Sequence, residues 1–447
     1  SLERSRPFYF RYSQMIKKND KQTIRAWAFY DWANSAYNLV ISTAIFPIFY
    51  QKMTSSTDVE GVLNEKVQFF GYEFINTEIY SYVVSFSFLI VSAISPILSG
   101  IADYSGSKKS FLKFFCYLGS LGCALLFFFD VEYLELSMLF VMIASIGFWG
   151  SLVFYNAFLP EVADNVHHDK VSAQGFAYGY VGSSILLVAI LILIQTNIMP
   201  AKFAFPLVAL WWAGFAQITY HYLPDNLYGR QPKEKGVIWK GYEELRKVWF
   251  ELADQINLRR FLRSFFVYSM GVQTVVIMAV LFANKEIEWG DQGESGLIIS
   301  VLIIQFIAVF GAYAFAGLSK KLGNIKVIGI ALVIWVFICF TAYFIKTPTH
   351  FYLLAALVGL VMGGIQALSR STYSKMLPET QDHASYFSFY DVLEKLGIVV
   401  GTFLFGFIEG MTSSMRNSAL VLMAFFIIGL FLLFMVKPQK SISPLTD

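Results

Sequence analysis

The stretch RAWAFYDWANSAYNLVISTAIFPIFY, residues 25–50, is apolar over a length that would cross a bilayer, yet it carries Asp31, Asn34, Ser35, Asn38 and Ser42. Those positions follow i, i+3, i+4, i+7 and i+11, so on an α-helix they form one polar face about three turns long. A charged side chain at the bilayer centre costs at least about 2.5–3.5 kcal/mol on insertion scales. The stripe therefore has to face protein or a water-filled cavity. One reading is packing, in which Asn and Ser hydrogen-bond neighbouring helices. The other is cavity lining, in which small and amide side chains leave room and offer donors and acceptors. Tyr37, beside the stripe, is available for apolar contact with a solute.

The rest of the chain has the same character. Of 447 residues 56% are hydrophobic and only 15% charged, against about 25% charged in ordinary soluble domains. Apolar runs lie near 26–50, 78–101, 110–129, 136–158, 173–194, 202–222, 260–283, 296–317, 327–345, 351–369, 385–408 and 418–436. Each approaches the roughly 20 residues that a helix needs to cross the hydrocarbon core. Twelve spans are expected; the runs are continuous rather than alternating, which excludes a β-barrel. Lys52, Lys66, Lys202, Lys285, Lys346 and Arg416 are the only basic residues in one set of alternate loops, and the other loops and both termini hold nearly all the rest. That bias places both termini in the cytoplasm. The net charge of +3 thus reports topology and gives no reason to expect a nucleic-acid partner.

Cys116, Cys123 and Cys339 fall inside spans without paired spacing, so no disulfide framework is expected. No apolar core with a small-residue cleavage site precedes residue 25, so no cleavable signal peptide is expected. The histidines at 167, 168, 221, 350 and 383 show no metal-ligand spacing, and "HHD" at 167–169 reads as a solvated loop. A phosphate-cradling P-loop is absent. No cofactor or metal is expected, and an enzyme is not.

One long hydrophilic interruption, residues 223–258, divides the chain into 1–222 and 259–447. Within it Trp239, Tyr242, Leu245, Val248, Trp249 and Leu252 recur at helical spacing, predicting an amphipathic helix on the cytoplasmic surface, read as a connector packed on the bundle with a lipid-sensing or regulatory role as the alternative. The halves repeat weakly. Gly100, Gly106 and Lys109 match Gly317, Gly323 and Lys326 at an offset of 217, and LPEVAD from Leu159 matches LPETQD from Leu377 at 218. Equivalent motifs in one register predict two duplicated six-helix bundles, an all-α integral membrane fold of the parallel-repeat transporter kind.

The motifs YDWANSAYNLVISTAIFP, GIADYSGSKKSFL, YNAFLPEVAD, GFAYGYVGS, MGVQTVV and GGIQALSRSTYSKMLPE together resemble the autophagy-related vacuole effluxer family, a branch of the major facilitator superfamily with many bacterial relatives. The resemblance covers nearly the whole chain. It implies a secondary transporter in a bacterial cytoplasmic membrane, with an amino acid or similar polar metabolite as cargo. A small-molecule substrate, the lipid bilayer and protons are the partners expected of a monomer. Three positions depart from the pattern: Ser99 stands where the loop motif leads with Gly, Lys320 occupies the acidic position of the second copy, and Ser269 with Met270 replace an Asn-Asp pair.

Other spans add polar candidates to the first: Tyr155 and Asn156, Gln174 and Tyr178, Gln273, Gln305, Gln366 and Arg370. Their amides suit a zwitterionic solute if they converge. The eleventh span is the most charged. Asp391 and Lys395 stand i, i+4 and can pair, which leaves Glu394 without a cation in its own helix and free to meet Arg370. Glu394 and Asp31 are the two candidates for proton coupling. Asp103 should meet the partially positive N-terminus of the eleventh helix, and the resemblance implies that it holds the cytoplasmic side closed. Glu161 and Glu379 are candidate latches to Lys108, Lys109 or Arg370. A membrane sensor that keeps the fold but not the flux is the alternative.

Overall fold

A computed structural model describes residues 18–57, 63–230, 237–290, 293–412 and 414–437. The basic residues before Lys18, on which part of the charge asymmetry rests, and linker residues 231–236 lie outside the described residues.

The quoted stretch is one continuous helix, though not a uniform one. The Asp20 carboxylate caps it by accepting from the Thr23 N–H at 2.8 Å. Helix α1, Lys21–Ala36, passes into a π-helical segment, Tyr37–Ala44, and then into α2, Ile45–Thr54. Pro47 has no N–H to give to the Thr43 carbonyl, and its ring crowds that carbonyl, so the α-helical ladder cannot run unbroken through this turn. The wider turn rotates everything beyond Tyr37 relative to an ideal helix.

The remaining helices are α3 (Asn76–Ser105), α4 (Lys108–Leu125), α5 (Leu134–Ala157), the single turn α6 (Leu159–Val162), α7 (His168–Gln195) and α8 (Ala204–Tyr222); then α9 (Val237–Asp254), α10 (Ile256–Glu286), α11 (Gly293–Leu322), α12 (Asn324–Ala342), α13 (Pro348–Met376), α14 (His383–Thr412) and α15 (Met415–Phe434). Among the described residues ten helices are long and apolar enough to cross a membrane. The two other expected spans are helical as well. The first is divided by its π segment, and α14 carries Asp391, Glu394 and Lys395 in its middle. At the end of the bundle opposite Asp103, the strands Lys66–Phe69 and Tyr72–Ile75 form a hairpin, closed by Phe70 and Gly71 at positive φ.

Glycine lets the helices approach closely. In α7, a Cβ on Gly175, Gly179 or Gly182 would fall within 3 Å of Asp31, Ser35 or Trp32 side chains, so α1 and α7 pack at the distance that small-xxx-small spacing permits. Helix α11 meets α13 in the same way, with Gly363 against the Ala308 carbonyl. Between halves, α3 packs on α14 and α7 on α11. Gly106 after α3 and Gly323 after α11 both adopt positive φ, so the repeated glycines end equivalent helices. Helix α9 packs on α3 and α14. It buries Gly241, Val248 and Leu252, whereas Trp239, Tyr242 and Trp249 of the expected apolar stripe are exposed.

Candidate substrate cavity and gate

Between the halves lies a cavity of about 150 Å3, lined by Asp31, Asn34, Ser35, Asn38, Asn156, Gln273, Gln366, Arg370 and Glu394 and by the rings of Trp149, Phe176, Tyr180, Phe265, Tyr268 and Tyr390. A second, of about 80 Å3, shares Ser35, Asn38, Tyr180 and Gln366 with the first and continues past Thr43 and Gln305. A bound water needs about 10–15 Å3 by the same measure. The larger cavity therefore has room for a solute of on the order of ten heavy atoms.

Arg370 of α13 forms one wall and reaches across into the other half. Its Nη1 lies 3.3 Å from an Asp31 carboxylate oxygen and donates to Asn156 Oδ1 at 3.2 Å. Nε donates to Ser172 Oγ at 2.9 Å and Nη2 to the Ser172 carbonyl at 2.8 Å. Its guanidinium sits 4.2 Å from the centre of the Phe176 ring. Tyr155 donates its hydroxyl to the same Asp31 oxygen at 2.8 Å and stacks on Trp27. Gly175 makes this cluster sterically possible: a Cβ there would stand 2.6 Å from Asp31 Oδ2 and 2.9 Å from Arg370 Nη2. Across the cavity, Gln273 donates to Glu394 Oε1 at 2.8 Å.

Several sequence expectations are corrected. Ser42 lines neither cavity; Thr43 takes its place because the π segment shifts the phase, and Thr43 Oγ1 donates to the Asn38 carbonyl five residues back. Tyr37 is 3% exposed and packs between Phe148 and Trp212, in the core rather than the cavity. Tyr155 stands behind Asp31 and lines neither cavity. Gln174 and Tyr178 also line neither; they hydrogen-bond to each other, and Tyr178 meets Phe29 edge-on. Glu394 does not lack a cation in its own helix, since Lys395 Nζ is 4.0 Å away, shared with the closer Asp391. Arg370 pairs with Asp31 and not with Glu394. Lys395 also lies over the Trp149 ring.

One end of the cavity is closed by polar contacts between the halves. Asp103, at the end of α3, accepts from the backbone N–H of Ser385 at 2.7 Å and of Ala384 at 3.3 Å, in the first turn of α14. Lys108 pairs with Glu161 and lies 4.0 Å from Asp103, and His383 reaches Glu161 at 3.1 Å. The linker joins in: Arg230 donates to the Asp103 carbonyl and pairs with Asp382 at 2.8 Å, while Lys247 lies 3.3 Å from Asp382. Burial would raise the Asp382 pKa, but the hydrogen bond and charge of Arg230 with the charge of Lys247 outweigh it and hold the carboxyl below its usual range. Lys109 pairs with Asp225, and Glu379 is exposed on the rim of a neighbouring cleft rather than latched to Lys108, Lys109 or Arg370.

The "HHD" segment is not a solvated loop. His167 is exposed, but His168 is 1% and Asp169 3% exposed. Asp169 accepts from Ser319 at 2.8 Å, Asn324 at 2.7 Å and Ser371 at 2.7 Å and pairs with Lys375 at 2.6 Å. It thus ties the first turn of α7 to the ends of α11 and α13. Sequence reasoning missed it. The one available signal was Lys320 at the acidic position of the second copy, which left that side needing an acid from elsewhere.

This architecture and the sequence agree with known proteins. Residues 19–444 match the family described as vacuole effluxer Atg22 like. The chain belongs to that family. This Atg22-like chain is 31% identical to YxiO, an MFS-type transporter of Bacillus subtilis, over 96% of this chain and 97% of the relative. It is 25% identical to autophagy-related protein 22-1 of Phaeosphaeria nodorum, over 79% and 75% of the two chains. Solved structures share the fold: the major facilitator transporter FucP in its outward conformation, with a TM-score of 0.65, 15% identity and 94% of this chain against 99% of that one; and the human organic anion transporter MFSD10, with 0.67, 12%, and 92% against 99%. This Atg22-like chain is a multi-pass membrane transporter of the major facilitator type.

Proposed function

We propose that this transporter moves a small zwitterionic solute, an amino acid or a close chemical relative, by alternating access between the halves around residues 1–222 and 259–447, and that the movement is coupled to protons. The observation that carries the reading is one small cavity lined by Arg370, with Asp31 and Asn156 bonded to it, and by Glu394 and Asn34. A solute carboxylate would compete with Asp31 for Arg370, and its ammonium would meet Glu394 and the amide oxygens. The vacuolar relatives in the same family, effluxers by the family's description, support a small-metabolite cargo.

The same geometry gives the cycle its logic. While Arg370 is held by Asp31, Asn156 and Ser172, it fastens the second half to the first at the gated end. A solute that takes Arg370 away from Asp31 weakens that fastening and leaves Asp31 as a carboxylate without its cation, which favours taking up a proton. The loop bias of Lys and Arg supports placing the gated end and both termini in the cytoplasm of a bacterium. The arrangement described is then closed to the cytoplasm.

Uptake into proteoliposomes of a labelled amino-acid mixture, with and without an imposed pH gradient, tests the reading on wild type, Glu394→Gln and Asp31→Asn. Accumulation driven by the gradient, and its loss in one variant that still binds, is the expected result. Folded, inserted protein that moves no amino acid would overturn the cargo assignment, and flux indifferent to the gradient would overturn the coupling.

A further inference from the structure

Helix α9 presents three distinct faces. Gly241, Val248 and Leu252 turn to the bundle; the approach is so close that a Cβ on Gly100 would overlap the Gly241 carbonyl, and one on Gly241 would meet the Ile101 backbone at 2.7 Å. Lys240, Glu243 and Lys247 lie along a second side. At 100° per residue, Trp239, Tyr242, Trp249 and Phe250 fall within one arc on the third, and they are 66%, 46%, 60% and 56% exposed. Arg246 shares this arc, with its guanidinium 5.7 Å from the centre of the Phe250 ring.

We propose that this aromatic face is seated in the lipid headgroup zone, so that α9 is a membrane-surface strap clamped to the gated end of α3. Its position supports a lipid partner. Helix α3 spans about 45 Å at 1.5 Å per residue, longer than the roughly 30 Å hydrocarbon core, and Gly100 lies about 8 Å from its gated end. The contact with α9 therefore falls near the edge of the hydrocarbon. Ile97, one turn before Gly100 on α3, and Ile256, at the start of α10, are apolar and exposed as well. Trp and Tyr are the side chains that favour this zone, with an apolar body and a polar edge, and an arginine stem can lie on the apolar surface while its head reaches the phosphates.

Charge does not select the lipid. Along α9 the acids Glu243, Glu244, Glu251 and Asp254 outnumber the bases Lys240, Arg246 and Lys247. Docking is aromatic, and it is indifferent to the anionic content of the leaflet.

The test uses the full chain reconstituted in phosphatidylcholine vesicles containing lipids brominated either high on the acyl chain or near its end. The chain has nine tryptophans, so the signal read is the fluorescence difference between wild type and the Trp239→Phe/Trp249→Phe variant. That difference should be quenched at least about twofold more strongly by the shallow bromines than by the deep ones, and unchanged when phosphatidylglycerol is added. Quenching by aqueous iodide but not by bromolipid would place the face in water and overturn the proposal. Protection from both quenchers would place it against protein, such as a second copy of the chain, and overturn it equally. A requirement for phosphatidylglycerol would replace aromatic docking with capture by charge. Arg246→Gln, which removes a charge but no ring, should leave the depth profile as it is.

Discussion

Arg370 and Asp31 are separated by 339 positions in sequence and meet at 3.3 Å across the boundary between the two halves. Arg370 finds its partners in the other half, its remaining donors going to Asn156 and Ser172, whereas Asp31 also accepts from Tyr155 of its own half. The pair is at once a wall of the cavity and a fastening of the fold, which makes the effects of mutation separable. Removing one partner of a buried ion pair typically costs about 3–5 kcal/mol because the other charge is left uncompensated. Asp31→Asn and Arg370→Gln should each lower the thermal midpoint and abolish uptake. The double variant should recover most of the stability and none of the transport. A double variant as unstable as the worse single one would show that the two charges do not depend on each other.

Gly175 carries the next expectation. Its missing Cβ is occupied by the Asp31 and Arg370 side chains and the Tyr155 hydroxyl, groups held by several hydrogen bonds that cannot move aside cheaply. Gly175→Ala should cost about 1–3 kcal/mol, the usual range for overpacking, and should reduce uptake by displacing Arg370. Gly214, with nothing within 4 Å of the equivalent point, is the control; Gly214→Ala should leave uptake unchanged. Thermal unfolding and uptake measured on both proteins decide the matter.

The contrast with the sequence reading is instructive because the failures have identifiable causes. Asp31, Asn34, Ser35 and Asn38 reach the cavity as helical periodicity predicts, since they precede or just enter the π segment. Ser42 misses because a one-residue phase change, forced at Pro47, is invisible to a 100° wheel. Tyr37 misses for another reason: position beside a polar stripe does not say whether a ring turns outward to a solute or inward to Phe148. Asp169 was hidden because its partners Ser319, Asn324, Ser371 and Lys375 come from the other half of the chain. Local polarity near a span end reads as solvation until the facing helices are known.

Asp103 and Asp169 bridge the two halves on two sides of the proposed gate and share no partner. Each accepts charge-assisted hydrogen bonds across the half boundary, bonds of a kind worth about 1.5–3 kcal/mol, so Asp103→Asn or Asp169→Asn should shift the equilibrium between closed and open gate by about tenfold to a hundredfold. Independent sites add, so the double variant should shift it by the product. The natural cysteines 116, 123 and 339 are buried, and a Gln366→Cys reporter in the cavity can therefore be read by labelling from each side of the membrane. Opening should raise labelling from the gated side and lower it from the other. Equal labelling in wild type and the Asp169→Asn variant would remove Asp169 from the gate.

The linker tether predicts a pH response with a definite sign. Asp382 is held below its usual pKa by Arg230 and Lys247 despite its burial. A carboxyl depressed on folding contributes stability that is fully present above its unfolded pKa, about 3.9, and lost as pH falls through the lower folded value. Between pH 5 and 8 the tether should therefore be constant, and the reporter labelling of Asp382→Asn should differ from wild type by the same factor throughout that range. Arg230→Gln removes the leading stabiliser, so it should raise the Asp382 pKa and move the loss of the tether toward higher pH. Any pH dependence of transport between 5 and 8 should persist in Asp382→Asn. Its disappearance there would assign proton sensing to the linker instead of to the cavity carboxylates proposed for it.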